Sequence, residues 1–149
     1  MPVLEGLQLI TQRVKATAIY NAVGKPSAWY TQRVNSCSNN GSEFKFTQAD
    51  VNLLNSATAA LGDTVSRYHV SGFCTRAECI NNIREIGKVV KMSHLRDDIL
   101  HCNAGYWNNR TQNKQLPDSV YRFTEDELQA INTELQDIAK MLHEITLTL

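Results

Sequence analysis

Over about fifty positions the chain aligns with itself without a gap when shifted by 77 residues. Arg33 falls on Arg110, Ser42 on Ser119, Phe46 on Phe123, Thr47 on Thr124 and Asn55 on Asn132. The pair Trp29-Tyr30 falls on Tyr106-Trp107 in reversed order. Apolar positions follow: Phe44 on Tyr121, Val51 on Leu128, Leu54 on Ile131, Leu61 on Ile138 and Val65 on Leu142. A self-match at a fixed period implies two diverged copies of one small unit, which restricts topology more than composition does. The expected units are residues 1–70 and 75–149, with the hinge over Tyr68 to Cys74. If the unit reads DNA, two copies in one chain act as a covalent dimer.

Within each copy the apolar spacing is helical. Leu4, Leu7, Leu9, Ile10 and Val14 predict a first helix over about Leu4 to Lys15. Thr17 is placed to cap a short helix, Ala18 to Val23, and Gly24 supplies a left-handed turn that ends it. Pro26 suits the first position of the next helix, through Val34. Asn35 to Ser42 is a polar loop with an Asn40-Gly41 turn, and Phe44 and Phe46 suit a short extended piece. Thr47-Gln48-Ala49-Asp50 caps a longer helix to about Val65. In the second copy, Thr75-Arg76-Ala77-Glu78 is a capping box opening a helix through Lys91, and Ser93 caps a short helix to about Leu100. His101-Cys102-Asn103 replaces the Gly turn, with Asn103 suited to the left-handed conformation. Residues 104–112 form the next helix, Asn113 to Val120 a loop, and Thr124-Glu125-Asp126-Glu127 caps a long helix to about Ile145. The expected class is all-α.

Several functions are excluded by what is missing. No run of 18 apolar residues and no charged n-region with an apolar h-region is present, so neither a membrane span nor a secretory signal is expected, and a cytoplasmic location follows. Cys37, Cys74, Cys79 and Cys102 fit no zinc spacing and read as reduced thiols; His69, His94, His101 and His143 are scattered. There is no phosphate-cradling glycine loop, no G-x-S-x-G and no H-E-x-x-H, and adjacent His101-Cys102 is a poor nucleophile–base pair. No enzymatic activity, cofactor or metal is expected.

Short helix, turn, short helix, flanked by further helices, is helix-turn-helix grammar. With Tyr30 and Val34 facing the core, Ser27, Ala28, Thr31 and Gln32 face outward. Gln32 suits a bidentate contact to adenine, Thr31 a hydroxyl or methyl contact and Ala28 a thymine methyl. Lys25, Arg33 and Lys45 are placed for phosphate contacts. The second copy offers Ala104, Gly105, Asn108 and Asn109, flanked by Arg110 and Lys114. Net charge is zero, yet residues 1–77 carry seven Lys/Arg against four Asp/Glu and residues 78–149 eight against eleven. The first copy is therefore expected to carry most of the phosphate affinity.

The run Ser27-Ala28-Trp29-Tyr30-Thr31-Gln32-Arg33-Val34-Asn35, followed by Phe46-Thr47-Gln48-Ala49-Asp50-Val51, resembles an uncharacterised group of small proteins from gut anaerobes and their phages. Their shared segment reads S-W-L-Y-Q-R-I-N-G, then F-T-x-x-E-L-x-x-x-N-x-A-L-x-x-I. Phe123 to Ile138 matches it less sharply, and Thr31 stands where that family usually has an aromatic. The resemblance implies a phage-repressor-like helix-turn-helix and a DNA-binding role.

Each feature has a plainer reading. Trp29 and Tyr30 suit the core of any helical bundle, and Arg33 and Arg110 suit pairing with helix carboxylates. Glu125-Asp126-Glu127 complements a helix dipole on a solvated face. The expectation is a tandem helix-turn-helix regulator, a pseudo-two-fold intrachain dimer that binds double-stranded DNA. The alternative is a small helical adaptor or virion component that uses the same fold to hold protein, with a protein partner on the acidic C-terminal half.

Overall fold

The computed structural model describes residues 1–36, 38–39, 42–70, 76–112 and 121–149, with backbone alone at 38–39 and 42–43. Among them the chain is all-helical apart from a two-residue antiparallel ladder, β1 (Ser38–Asn39) with β2 (Ser42–Glu43). The helices are α1 (Val3–Ile10), α2 (Ala16–Val23), α3 (Ser27–Val34), α4 (Gln48–Ser66), α5 (Arg76–Ile86), a π-helix (His94–Ile99), α6 (Ala104–Thr111) and α7 (Glu125–Glu144). No helix of the described residues is long and apolar enough to cross a membrane. Of the expected hinge over Tyr68 to Cys74, residues 71–74 lie outside the described residues, as do the opening Thr75, the loop Asn113 to Val120 and the Asn40-Gly41 turn.

The long helices form the centre. Val51, Leu54, Leu61 and Val65 of α4 recur at three- and four-residue spacing and are buried, as are Leu128, Ile131, Leu135, Ile138 and Leu142 of α7. Both helices open on full capping boxes, Thr47 with Asp50 and Thr124 with Glu127, which satisfy otherwise orphaned N–H groups. α4 packs on α7, and one hydrophobic cluster runs through both halves, joining Leu7, Ile10, Val14 and Ile19 to Ile83, Ile86, Val90 and Leu95.

The halves are joined by reciprocal hydrogen bonds. Asn132 Nδ2 donates to Val70 O at 2.8 Å and its Oδ1 accepts from Val70 N at 2.8 Å. Asn55 does the same to Leu147, at 3.0 and 2.8 Å. Asn55 with Leu147 and Asn132 with Val70 exchange under the 77-residue shift. Each long helix thus holds the tail that follows the other. A second exchange sits at Val14 and Val90, where Lys15 N–H donates to Val89 O and Lys91 N–H to Arg13 O, both at 2.8 Å. Here the matching shift is 76 residues: Leu7 answers Ile83, Ile10 Ile86, Val14 Val90 and Lys15 Lys91. Downstream, α3 and α6 match at 77. The π-helix lies between, and its Leu100 N–H reaches back five residues to Leu95 O at 2.9 Å. A π-turn accommodates one extra residue in a helix, which accounts for the change of shift.

These pairings correct several expected boundaries. α1 stops at Ile10 and α5 at Ile86, not at Lys15 and Lys91, because Val14 and Val90 leave the helix to meet each other. Thr11 Oγ1 helps terminate α1 by donating to Leu7 O at 2.8 Å. α2 starts at Ala16 after Lys15, and Ser93 lies in helical conformation without capping, so neither Thr17 nor Ser93 is an N-cap. The extended piece forms at the ladder instead of Phe44 to Phe46; Phe46 is buried, its ring 5.7 Å edge-on from Trp29. α1 begins against the C-terminal segment, with Val3 N–H donating to Thr148 O at 2.7 Å and Thr148 N–H to Met1 O at 2.8 Å. Leu147 lies across Gly6, where a Cβ would sit 2.1 Å from Leu147 Cδ2.

Candidate nucleic-acid interface

The turn before α3 is built as its residues dictate. Gly24 has φ 82°, and the N–H groups of Gly24 and Lys25 donate to Tyr20 O at 3.0 and 2.9 Å, closing α2. Pro26 is the N-cap and Ser27 the first helical residue, one position later than expected. In the second half the left-handed residue is His101, φ 51°, not Asn103. Asn103 is extended because its Oδ1 caps α6, accepting from Tyr106 N at 2.8 Å. His101 and Gly24 occupy matching positions at the 77-residue shift.

The outward face of α3 is as the spacing implies in its first turn. Lys25, Ser27, Ala28, Thr31 and Lys45 are exposed, and Gln32 is half-buried. Tyr30 faces inward, and burial raises its phenol pKa. Trp29 is also buried. On α6, Ala104, Gly105 and Asn108 are exposed and Asn109 is half-buried. Lys114 lies outside the described residues.

The two arginines are placed differently from the lysines. Arg33 Nη1 donates to Trp29 O at 3.2 Å and Nε to Asp50 Oδ2 at 3.4 Å, with the guanidinium 5.0 Å from the Trp29 ring centre. Arg110 Nη1 donates to Tyr106 O at 3.2 Å and Nε to Arg122 O at 3.2 Å, over the Tyr106 ring at 3.4 Å. Each clamps its short helix to the segment that opens the following long helix. Tyr106 continues the clamp, donating its hydroxyl to Glu127 Oε1 at 2.7 Å; burial first, and this carboxylate second, raise its pKa. The helix-carboxylate pairing considered for Arg33 is therefore present, through Asp50.

Two features escaped sequence reasoning. Arg76, read only as part of a capping box, is 2% exposed and donates to Tyr121 O at 3.1 Å and to Asn109 O. His94 lies in a hydrogen-bonded polar cluster, its Nε2 2.8 Å from Glu134 Oε1 and its Nδ1 2.9 Å from Asp98 Oδ2, with Arg13 Nη1 3.5 Å from the same Glu134 oxygen. Both are long-range arrangements, and no local spacing announces them. The positions matching His94 and Glu134 in the first half are Ala18 and Ala57, both buried. No group of three His, Cys, Asp or Glu among the described residues could hold a metal ion.

Comparison of the chain with protein-family models, with curated proteins and with solved structures finds no match.

Proposed function

We propose that the chain is a sequence-specific double-stranded-DNA-binding regulator of phage-related type, acting in the cytoplasm without catalysing a reaction. Its two helix-turn-helix units, 1–70 and 75–149, form a pseudo-two-fold intrachain dimer. The observation that carries this reading is the repeated short helix, left-handed residue and short helix, with the second helix turning polar, uncharged side chains outward. In the first half these are Ser27 and Thr31 after Gly24; in the second, Asn108 after His101. Such side chains discriminate base edges in a major groove. The reciprocal Asn55–Leu147 and Asn132–Val70 brackets support the dimer reading, because they exchange under the repeat. Half-sites about one helical turn apart, roughly 34 Å, suit such a dimer.

The test is an electrophoretic shift with random genomic fragments at about 50 mM salt, where phosphate-driven affinity is strong. A shift is expected, and Gln32→Ala should alter sequence preference while leaving binding to scrambled DNA intact. No shift, together with a stable self-associated state, would favour the adaptor reading, which the zero net charge also fits.

A further inference from the structure

A groove of roughly 870 Å³ opens where α2 of the first half approaches α5 and α6 of the second. Four cations line it: Lys15 before α2, Arg84 on α5, Lys88 just after it, and Arg96 on the π-helix. No carboxylate is among its lining residues. Lys88 pairs at the rim with Glu85 at 2.7 Å through a solvent-exposed contact that is worth little and exchanges readily for another anion, and Arg96 holds Asp97 through two hydrogen bonds at 2.7 and 3.0 Å. Lys15 and Arg84 make no ion pair among the described residues. Asn108 of α6 and Asn21 of α2 complete the polar wall.

The repeat supplies an internal control. At the 76-residue shift, Lys15 answers Lys91, but Arg84 answers Gln8, Lys88 answers Gln12 and Arg96 answers Tyr20. In the first half Tyr20 instead packs on Tyr30, ring centres 5.9 Å apart. The clamping arginines Arg33 and Arg110 recur in both halves, whereas Arg84, Lys88 and Arg96 do not. Here they accumulate on one of two matching surfaces, although the second half is the more acidic overall.

We propose that this groove is the main grip on the phosphate backbone of duplex DNA, holding Asn108 over the base edges, so that phosphate affinity belongs to the side of α6 and not to the outward face of α3. The inference rests on the DNA-binding reading above and deepens it. A cluster converging from three elements and both halves makes the grip a property of the intact chain: Lys15 comes from one half and Arg84, Lys88 and Arg96 from the other.

The test is fluorescence anisotropy on duplexes of mixed sequence, about 50 to 200 mM salt, with the full chain. Arg84→Gln with Lys88→Gln should weaken binding about tenfold or more on all sequences and make the salt slope shallower by about two. Arg67→Gln with Lys140→Gln removes the same charge from exposed positions elsewhere and should change little. Without any substitution, DNA should protect Lys15 and Lys88 from acetylation and leave Lys140 reactive. If the groove pair loses no more than the control pair while Lys25→Gln with Lys45→Gln loses tenfold, the groove assignment fails and the DNA reading stands. Competition by polyglutamate as effective as by DNA would assign the groove to an acidic protein segment and overturn the proposal. Wild-type protein that binds no duplex at the lowest salt overturns both readings together.

Discussion

Replacing Asn132 with Ala removes a side chain that satisfies both backbone groups of Val70, itself fully buried, at 2.8 Å each. A hydrogen bond contributes about 0.5–1.5 kcal/mol net, but stranding a buried partner costs about 1–3 kcal/mol. Two stranded groups, with partial rescue by water at a half-exposed rim, give an expected loss of about 2–4 kcal/mol. For a chain of this size that corresponds to a fall in Tm of roughly 5–15 °C. Asn55→Ala should cost about the same, because Leu147 is 2% exposed and its bracket has the same form. Asn132→Asp keeps an acceptor for Val70 N–H but loses the donor to Val70 O, so it should retain part of the stability. The assay is urea unfolding followed by tryptophan fluorescence. Trp29→Phe and Trp107→Phe each leave one reporter, in opposite halves. The continuous core predicts one shared transition for both reporters. A loss under about 0.5 kcal/mol for either Asn→Ala variant, or reporters that melt separately, would refute the reciprocal joining of the halves.

Three further outcomes follow from particular contacts. His94→Ala leaves Glu134 with Arg13 alone and Glu134→Ala leaves His94 with Asp98 alone, so each should cost about 1–3 kcal/mol, whereas the double variant, which restores the Ala pair of the first half, should cost clearly less than their sum; additive losses in a double-mutant cycle would show the pair uncoupled. Gly6→Ala should destabilise by about 1–3 kcal/mol, since its methyl meets Leu147 Cδ2, and an unchanged urea midpoint would mean that the C-terminal segment does not lie there. Tyr106 has its pKa raised in the fold, so its contribution to stability is full below the unfolded value near 10 and is lost as pH rises through the higher folded value. Ultraviolet titration should show one tyrosinate step move to lower pH in Glu127→Gln, a shift absent when Tyr106→Phe is also present, and an unchanged curve would contradict the Glu127 contact.

What the sequence made legible was local. Thr47 with Asp50 and Thr124 with Glu127 announce helix starts because a cap acts within three residues. Gly24 announces a turn because its φ is costly for other residues. Asn103 shows the limit of local signals: two functions are open to it, left-handed turn or N-cap, and only the fold of α6 selects the cap. The helix ends at Ile10 and Ile86 were hidden because Val14 and Val90 extend the helical apolar period while serving a pairing across the chain. The π-helix is hidden for a related reason: the 77-residue match holds downstream of it, and the one-residue difference upstream falls where identity is low. Four of the five identities between the halves at the 77-residue shift do structural work, and the fifth, Ser42 with Ser119, reaches outside the described residues. Arg33 and Arg110 clamp, Phe46 and Phe123 pack, Thr47 and Thr124 cap, and Asn55 and Asn132 bracket. The outward residues Thr31 and Asn108 have diverged, as positions free of structural work do.

Selection of bound duplexes from a random pool by the intact chain, at about 50 mM salt, tests most directly the proposal that α3 and α6 read DNA together. The expected pool holds two unequal half-sites centred about 10 base pairs apart, the better-defined one depending on Asn108 and the other on Gln32. A recovered pool no different from the input, or a single undivided motif indifferent to both substitutions, would contradict it.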